Sequence, residues 1–161
     1  MSIKVGDRLP DATFRVMTEE GPQTRETADI FKGKRIILVA VPGAFTPTCS
    51  LNHLPGYIND ANAILAKGVD AIAVTSVNDA FVMDAWAKAT GGINKAIFLS
   101  DWNADFAKAV GLTLDATGAG LGIRSLRYSM LVEDGVVKIL NIEEDPNKAE
   151  LTSSAKMLNS L

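Results

Sequence analysis

Residues 36–50 have the sequence IILVAVPGAFTPTCS, which indicates the fold class more clearly than any other part of the chain. Its first part, residues 36–41, is a continuous apolar run, which is typical of a strand covered on both faces in a mainly parallel sheet. After Cys49, apolar residues recur at intervals of three and four, which predicts a helix with one apolar face. Pro55 predicts a kink in this helix, because proline has no backbone donor, and Gly68 is expected to end it. The residues on the predicted apolar face are Leu51, Leu54, Ile58, Ala61 and Leu65.

Strands and helices continue to alternate along the rest of the chain. The predicted elements are a strand over 69–76, a helix over 79–90, a strand over 96–99, a helix over 103–110, a hairpin over 128–142 and a helix over 151–161. Asp134-Gly135 supplies the hairpin turn. We therefore predict one domain over residues 1–161, an α/β sandwich of thioredoxin-like type with helices flanking a mixed central sheet. The stretch up to about Lys34 gives no clear pattern.

The composition excludes several classes of protein. One cysteine cannot form an intrachain disulfide, and one histidine argues against a histidine-rich metal site, so we expect no metal and no other cofactor. A net charge of -3 gives no basic surface for nucleic acid and little attraction to an anionic membrane. The first residues contain no apolar signal segment, and the longest apolar run is too short to span a bilayer. A cytoplasmic protein without nucleic-acid or membrane partners is therefore expected.

The turn between the first predicted strand and the helix after it is a candidate site. Ligands of open α/β sheets bind beyond the carboxyl ends of the strands, where this turn lies. Cys49 is predicted in the first turn of the helix, where unpaired N–H groups and the helix dipole favour negative charge. The thiolate is the nucleophilic form of cysteine. These residues alone leave two interpretations open, a reactive thiol and a buried structural cysteine.

A family resemblance separates these two interpretations. Pro42-x-x-x-Thr46-x-x-Cys49 resembles the active-site signature of the peroxiredoxins, a thioredoxin-like family of thiol peroxidases. The longer string over 42–50, with His53-Leu54-Pro55-Gly56, is similar to the atypical type II or peroxiredoxin-5 subfamily. Further blocks of the same resemblance follow in order, at Ser76-Val77-Asn78-Asp79, Phe81-Val82-Met83, Trp86, Arg124-Ser125-Leu126-Arg127-Tyr128 and Asp134-Gly135.

The resemblance implies a role for each residue of the signature. Cys49 would attack the distal oxygen of a hydroperoxide and become a sulfenic acid. Thr46 would place its hydroxyl beside the peroxide, and Pro42, which has no backbone donor, would wall the pocket. Arg127 would stabilise the thiolate and the leaving oxygen. The backbone N–H groups of Thr48 and Cys49 are further candidate donors to the peroxide.

Several alternatives remain open for individual residues. Arg124 is a second candidate for the role of Arg127, since the two lie three residues apart. His53 is either an acid–base group or a group that orders the pocket, for example by reaching a backbone carbonyl. Trp86 and Phe45 are expected to be packing or interface aromatics. Thr46 also suits a helix N-cap, and Pro42 and Pro47 suit simple loop punctuation.

The resemblance also bears on how Cys49 is recycled. Relatives carry a resolving cysteine at positions where this chain has Val74 or Ser153. A one-cysteine mechanism is therefore expected, in which glutathione, glutaredoxin or thioredoxin reduces Cys49. The expected substrates are hydrogen peroxide and small alkyl hydroperoxides, with Pro42 and Phe45 as pocket walls, and the expected assembly is a homodimer.

A competing hypothesis is a redox-sensing or chaperone-like binding protein that uses Cys49 oxidation as a signal. A thioredoxin-type disulfide reductase is disfavoured, because the chain has no Cys-x-x-Cys.

Overall fold

The computed structural model describes the backbone of residues 1–161 and all side chains except that of Leu51, whose predicted place on the apolar helix face therefore lies outside the description. The strands are β1 (Thr13–Thr18), β2 (Gly21–Glu26), β3 (Arg35–Ala40), β4 (Ala71–Ser76), β5 (Ile97–Ser100), β6 (Thr113–Ala116), β7 (Gly122–Ser125), β8 (Tyr128–Glu133) and β9 (Val136–Ile142). The α-helices are α1 (Thr27–Phe31), α2 (Leu54–Asn59), α3 (Ala61–Ala66), α4 (Ala80–Thr90), α5 (Asp105–Ala109) and α6 (Ser154–Ser160). A π-helical turn covers Cys49–His53, and a short 3₁₀ helix covers Thr117–Ala119.

Seven strands form one mixed sheet in the order β2-β1-β5-β4-β3-β8-β9. Strands β3, β4 and β5 are parallel, whereas β8 pairs antiparallel with β3, and β1 pairs antiparallel with β5. Strands β6 and β7 form a separate two-stranded sheet. The mixed sheet with its flanking helices confirms the predicted α/β class.

Strand β3 lies at the centre of the core, as its continuous apolar sequence predicts. Ile37 and Val39 point into the cluster that contains Cys49, while Ile36 and Leu38 point into the cluster on the other face of the sheet. All four side chains are fully buried. Alternate residues of β3 thus contact both layers, which fixes the position of the turn that follows the strand.

The segment after Cys49 is helical, as predicted. Instead of one kinked helix, it forms a π-helical turn followed by two short α-helices. The Leu54 N–H donates to the Cys49 carbonyl, which makes the first turn one residue wider than an α-helical turn. Pro55 then sits in the first turn of α2, directly after this widened turn. A second break at Asp60 (φ -91°, ψ 3°) separates α2 from α3. Gly68, with φ 88°, follows α3 as the expected stop.

The downstream elements are confirmed with small shifts at their ends. Asp79 caps α4 by accepting a hydrogen bond from the Val82 N–H at 2.9 Å. Asp134 and Gly135 form the turn between β8 and β9 with φ of 49° and 79°. The last helix starts at Ser154, three residues later than predicted, because Ser153 serves as its N-cap.

Two regions have structure that the sequence does not predict. The hairpin of β1 and β2 occupies the stretch that gave no clear pattern, and β2 (GPQTRE) lacks the apolar alternation of a half-buried strand. The small sheet of β6 and β7 is similarly exposed along much of its length. These strands are stabilised by backbone pairing, which depends little on residue type and so cannot be recognised from the sequence pattern.

No helix in the described chain is both long and apolar enough to cross a membrane.

Candidate active site

A cavity of about 470 Å³ opens at the carboxyl end of β3, beside the turn that carries the signature residues. One wall is formed by Pro42, Thr46, Pro47, Thr48 and Arg127. The facing wall is largely apolar and comes from the β6–β7 hairpin and the loop after β9. Its residues are Leu114, Asp115, Ala116, Gly118, Ala119, Leu121, Pro146 and Asn147.

Cys49 lies beneath this cavity with no exposed surface. Its Sγ accepts a hydrogen bond from Arg127 Nη2 at 3.0 Å. The contact follows from the sheet register, because Ala40 at the end of β3 pairs with Tyr128 at the start of β8. Arg127, one residue before β8, is thereby brought to the end of β3. Arg127 as a whole is only 1% exposed, so its charge acts on the sulfur with little screening by water.

His53 lies on the other side of the same guanidinium. Its Nδ1 accepts a hydrogen bond from Arg127 Nη1 at 2.8 Å, and its Nε2 lies 3.0 Å from the Thr152 carbonyl oxygen. Because arginine is always a donor, Nδ1 must be unprotonated, and the ring proton lies on Nε2 and is donated to Thr152. Burial, and then the charge of Arg127, lower the pKa of His53 from 6.5 to about 3. This geometry matches the pocket-ordering alternative, and a neutral ring at neutral pH does not suit the acid–base alternative.

The side chains of the turn have defined contacts of their own. Thr46 Oγ1 donates to the Gly43 carbonyl at 2.7 Å, so its proton is committed and its lone pairs remain as acceptors toward the cavity. The Thr46 hydroxyl therefore bonds to the turn and does not cap the helix, which is the alternative role of this residue. Thr48 Oγ1 donates to the Asn147 carbonyl at 3.1 Å, which ties the turn to the facing wall.

Arg124 and Arg127 are clearly separated by their contacts. Arg124 Nε donates to the Leu121 carbonyl at 2.8 Å, and its Nη1 lies 3.4 Å from the Pro42 carbonyl oxygen. A Cβ added at Gly43 would lie 3.0 Å from Arg124 Nη1, so the absence of a side chain there permits this close approach. Arg124 therefore braces the turn, whereas Arg127 contacts the sulfur.

The two aromatic residues differ in burial. Trp86 has no exposed surface, and its Nε1 donates to Ser50 Oγ at 2.9 Å, next to Cys49. Its ring also packs edge-on against Phe98 with centroids 5.9 Å apart. Phe45 is 53% exposed and does not line the cavity, so the prediction that it walls the pocket is wrong. Its backbone is left-handed, with φ 65°.

Several groups that contact the site residues belong to no recognised sequence motif. The Thr152 and Pro146 carbonyl oxygens contact His53 and Arg127, respectively. Asn78 Oδ1 accepts hydrogen bonds from the Ala44 N–H at 2.9 Å and from the Ser76 hydroxyl, and so holds the turn to the end of β4. Only the resemblance of residues 76–79 to a peroxiredoxin block hinted at this last contact.

Val74 and Ser153, where the family resemblance places a resolving cysteine in some relatives, have structural roles in this chain. Val74 is fully buried in β4. Ser153 Oγ accepts the Lys156 N–H at 3.2 Å as the N-cap of α6. Among the described side chains, no group of three or more His, Cys, Asp or Glu residues is arranged to hold a metal ion.

The chain is similar to known proteins along nearly its whole length. Residues 4–158 match the Redoxin family. The chain is 49% identical to peroxiredoxin-2E-2, chloroplastic, of Oryza sativa over 99% of its own length and 73% of that protein. It is 48% identical to peroxiredoxin-2E, chloroplastic, of Arabidopsis thaliana over 89% of its own length and 63% of that protein. The structure of reduced Prx3 from Vibrio vulnificus in complex with hydrogen peroxide superposes with a TM-score of 0.93 at 47% identity, covering 98% of both chains.

These relatives correct one expectation and confirm another. The expectation of a cytoplasmic protein is contradicted, because the rice and Arabidopsis relatives are both chloroplastic. That expectation was drawn from the first residues and composition of the chain, which do not identify a compartment. The predicted thioredoxin-like peroxiredoxin fold is confirmed. The homologues of this chain support a thiol-dependent peroxidase activity. The chain belongs to the peroxiredoxin family.

Proposed function

We propose that this protein reduces hydrogen peroxide and small alkyl hydroperoxides through a sulfenic acid on Cys49, which an external thiol then recycles. The observation that carries the proposal is the 3.0 Å hydrogen bond from Arg127 Nη2 to Cys49 Sγ in a fully buried setting. A buried guanidinium stabilises negative charge on the sulfur and on an oxygen that leaves beside it.

In the proposed reaction, the Cys49 thiolate attacks the distal oxygen of the hydroperoxide. The S–O bond forms as the O–O bond breaks, which leaves a sulfenic acid and an alkoxide or hydroxide. Arg127 and the N–H groups of Thr48 and Cys49 stabilise the leaving oxygen, which takes a proton from water in the cavity. Thr46, whose proton is committed to Gly43, accepts a hydrogen bond from the peroxide.

His53 has an orienting role in this proposal. It is neutral and bridges Arg127 to the Thr152 carbonyl, so it fixes the direction of the guanidinium without exchanging a proton with substrate. Pro42 lines the cavity and offers no N–H that would bring water to the sulfur.

The recycling step is proposed to follow a one-cysteine mechanism. The chain has a single cysteine, and Val74 and Ser153 occupy the two resolving positions of the atypical type II subfamily that its signature resembles. A first thiol displaces water from the sulfenic acid to give a mixed disulfide, and a second thiol releases reduced Cys49. Glutathione with glutaredoxin is the proposed reductant, and thioredoxin is the alternative.

A homodimer is proposed as the functional assembly. Phe45 and Phe81 are 53% and 67% exposed. Both lie at the same end of the sheet, since the Ala44 N–H bonds to Asn78, which precedes α4. Large exposed aromatics are enriched at protein–protein interfaces. Sedimentation equilibrium tests this assembly, and a monomer mass at every concentration would remove it.

The peroxidase proposal predicts a fast reaction of the reduced protein with hydrogen peroxide. In a stopped-flow experiment that follows the fluorescence of Trp86 and Trp102, the rate should rise with peroxide concentration. The second-order rate constant should exceed that of an unactivated thiol by at least about a hundredfold. Cys49→Ser should show no such phase. Without thiol the wild type should consume one peroxide per chain, and with glutathione and glutaredoxin it should turn over.

A rate no faster than that of a free thiol would contradict the peroxidase proposal. Fast oxidation of Cys49 that no small thiol or thiol protein reverses would instead favour the redox-sensing or chaperone-like alternative.

The apolar wall of the cavity predicts that a polar substitution in it lowers activity with alkyl hydroperoxides more than activity with hydrogen peroxide. Leu121→Asn replaces one wall side chain with a polar one of similar size. It should lower kcat/KM for tert-butyl hydroperoxide by about fivefold, since it removes roughly 1 kcal/mol of apolar contact. Activity with hydrogen peroxide, which has no alkyl group, should stay within about twofold of wild type. The control is Leu65→Asn, which changes a similarly exposed leucine on α3. An equal loss for both peroxides would contradict a role for this wall in binding the alkyl group.

The neutral state of His53 predicts a specific dependence of stability on pH. Its folded pKa is lowered to about 3, so below about pH 6.5 the unfolded chain takes up a proton that the folded chain does not. The free energy of unfolding should therefore fall as the pH falls below about 6.5, with no such loss above it. Between about pH 7 and about pH 5, this one group should account for about 2 kcal/mol.

Urea unfolding of wild type and His53→Gln at both pH values measures this contribution. Because the chain has one histidine, the difference between the two pH effects belongs to His53. Equal pH effects in the two proteins would show that His53 is protonated in the fold.

A further inference from the structure

Glu143, directly after β9, is a buried carboxylate that neither the signature nor the mechanism uses. It is 4% exposed, and among the described side chains it forms no salt bridge. Its Oε1 accepts the Leu151 N–H at 3.2 Å, and its Oε2 accepts the Thr152 N–H at 3.1 Å and the Thr152 hydroxyl at 2.9 Å. A buried charge that is satisfied by neutral donors alone holds those donors strongly, since any loosening leaves it unpaired.

These contacts close residues 143–152 into a loop whose two ends are joined. The Glu143 N–H donates to the Arg127 carbonyl at 3.0 Å, so one end is also fixed to the residue that contacts the cysteine. At the other end, the Thr152 carbonyl accepts hydrogen bonds from His53 Nε2 at 3.0 Å and from the Tyr57 hydroxyl at 2.7 Å. Between them, the Pro146 carbonyl lies 3.3 Å from Arg127 Nη2.

We propose that Glu143 is a positioning residue for the peroxide-reacting pair, acting through Thr152 and His53. Its carboxylate fixes Thr152, the Thr152 carbonyl orients the imidazole of His53, and His53 Nδ1 orients the guanidinium of Arg127 against Cys49 Sγ. The proposal rests on the proposed peroxidase function, because the geometry it protects is that of the attacking sulfur.

The chemistry of the contacts explains why a carboxylate is required. Every partner of the Glu143 side chain is a donor, and a carboxylate offers only acceptor lone pairs. A glutamine of the same shape would turn an NH₂ group toward one of these donors and lose at least one hydrogen bond. The Thr152 carbonyl would then be less well fixed, and the orientation of the His53 ring would be less well fixed in turn.

The test compares Glu143→Gln with Glu144→Gln, its exposed neighbour, as a matched control. Glu143→Gln should slow the single-turnover oxidation of Cys49 by hydrogen peroxide by about tenfold or more, because small misplacements of reacting groups have large effects on rate. Glu144→Gln should react as the wild type does. The nitrogen chemical shifts of the His53 ring should change in Glu143→Gln alone, which a purely structural loop role would not produce.

A second variant keeps the proposal testable if Glu143→Gln does not fold. Thr152→Val removes one donor to Glu143 but keeps the backbone N–H and the carbonyl that holds His53. It should lower the oxidation rate and move the His53 shifts in the same direction, by less. Normal rates with unchanged His53 shifts in these variants, even with a lower unfolding midpoint, would overturn the proposal.

The rate of the wild type distinguishes failure of the peroxidase proposal from failure of the proposed role of Glu143. If wild-type Cys49 reacts no faster than a free thiol, the proposed function fails. If the wild type reacts fast and Glu143→Gln reacts equally fast, only the role of Glu143 fails.

Discussion

The site depends on one hydrogen bond, from Arg127 Nη2 to Cys49 Sγ at 3.0 Å, made where neither group contacts bulk water. Its partners are far apart in sequence and are brought together by the antiparallel pairing of β3 with β8. The end of one strand supplies the turn and the cysteine, and the start of the other supplies the arginine. A shift of one residue in this register would reverse the face on which Arg127 lies.

Burial of a guanidinium imposes a second constraint on the fold. A buried charge is tolerated only where acceptors surround it, and Arg127 has three: the sulfur, His53 Nδ1 and the Pro146 carbonyl oxygen. The last of these, together with the carbonyl that holds His53, comes from the loop between β9 and α6. This loop therefore belongs to the site as much as the signature does, although it lies far from the signature in sequence.

The residues explain which parts of this arrangement the sequence could predict. The apolar run of β3 and the spacing of Pro42, Thr46 and Cys49 mark a buried strand, a turn and a candidate thiol. The family resemblance favours Arg127 over Arg124, and the contacts of the two side chains separate them. The acceptors on residues 143–152 could not be predicted, because backbone carbonyls belong to every residue type. The same reason hides the polar strand β2. The left-handed backbone of the exposed Phe45 could not be predicted either, because its residue type does not favour that conformation. Composition was also a poor guide to cellular compartment.

The most direct test of the account is the second-order rate constant for Cys49 oxidation by hydrogen peroxide in Arg127→Met compared with Arg124→Met. Both changes replace a cation with an unbranched apolar chain, but only Arg127 contacts the sulfur. We expect a loss of at least about a hundredfold in Arg127→Met, since a charge proposed to stabilise both the thiolate and the leaving oxygen is removed. It predicts a smaller loss in Arg124→Met, which loosens only the Pro42 turn. Equal losses in the two variants, or a near-normal rate in Arg127→Met, would contradict it.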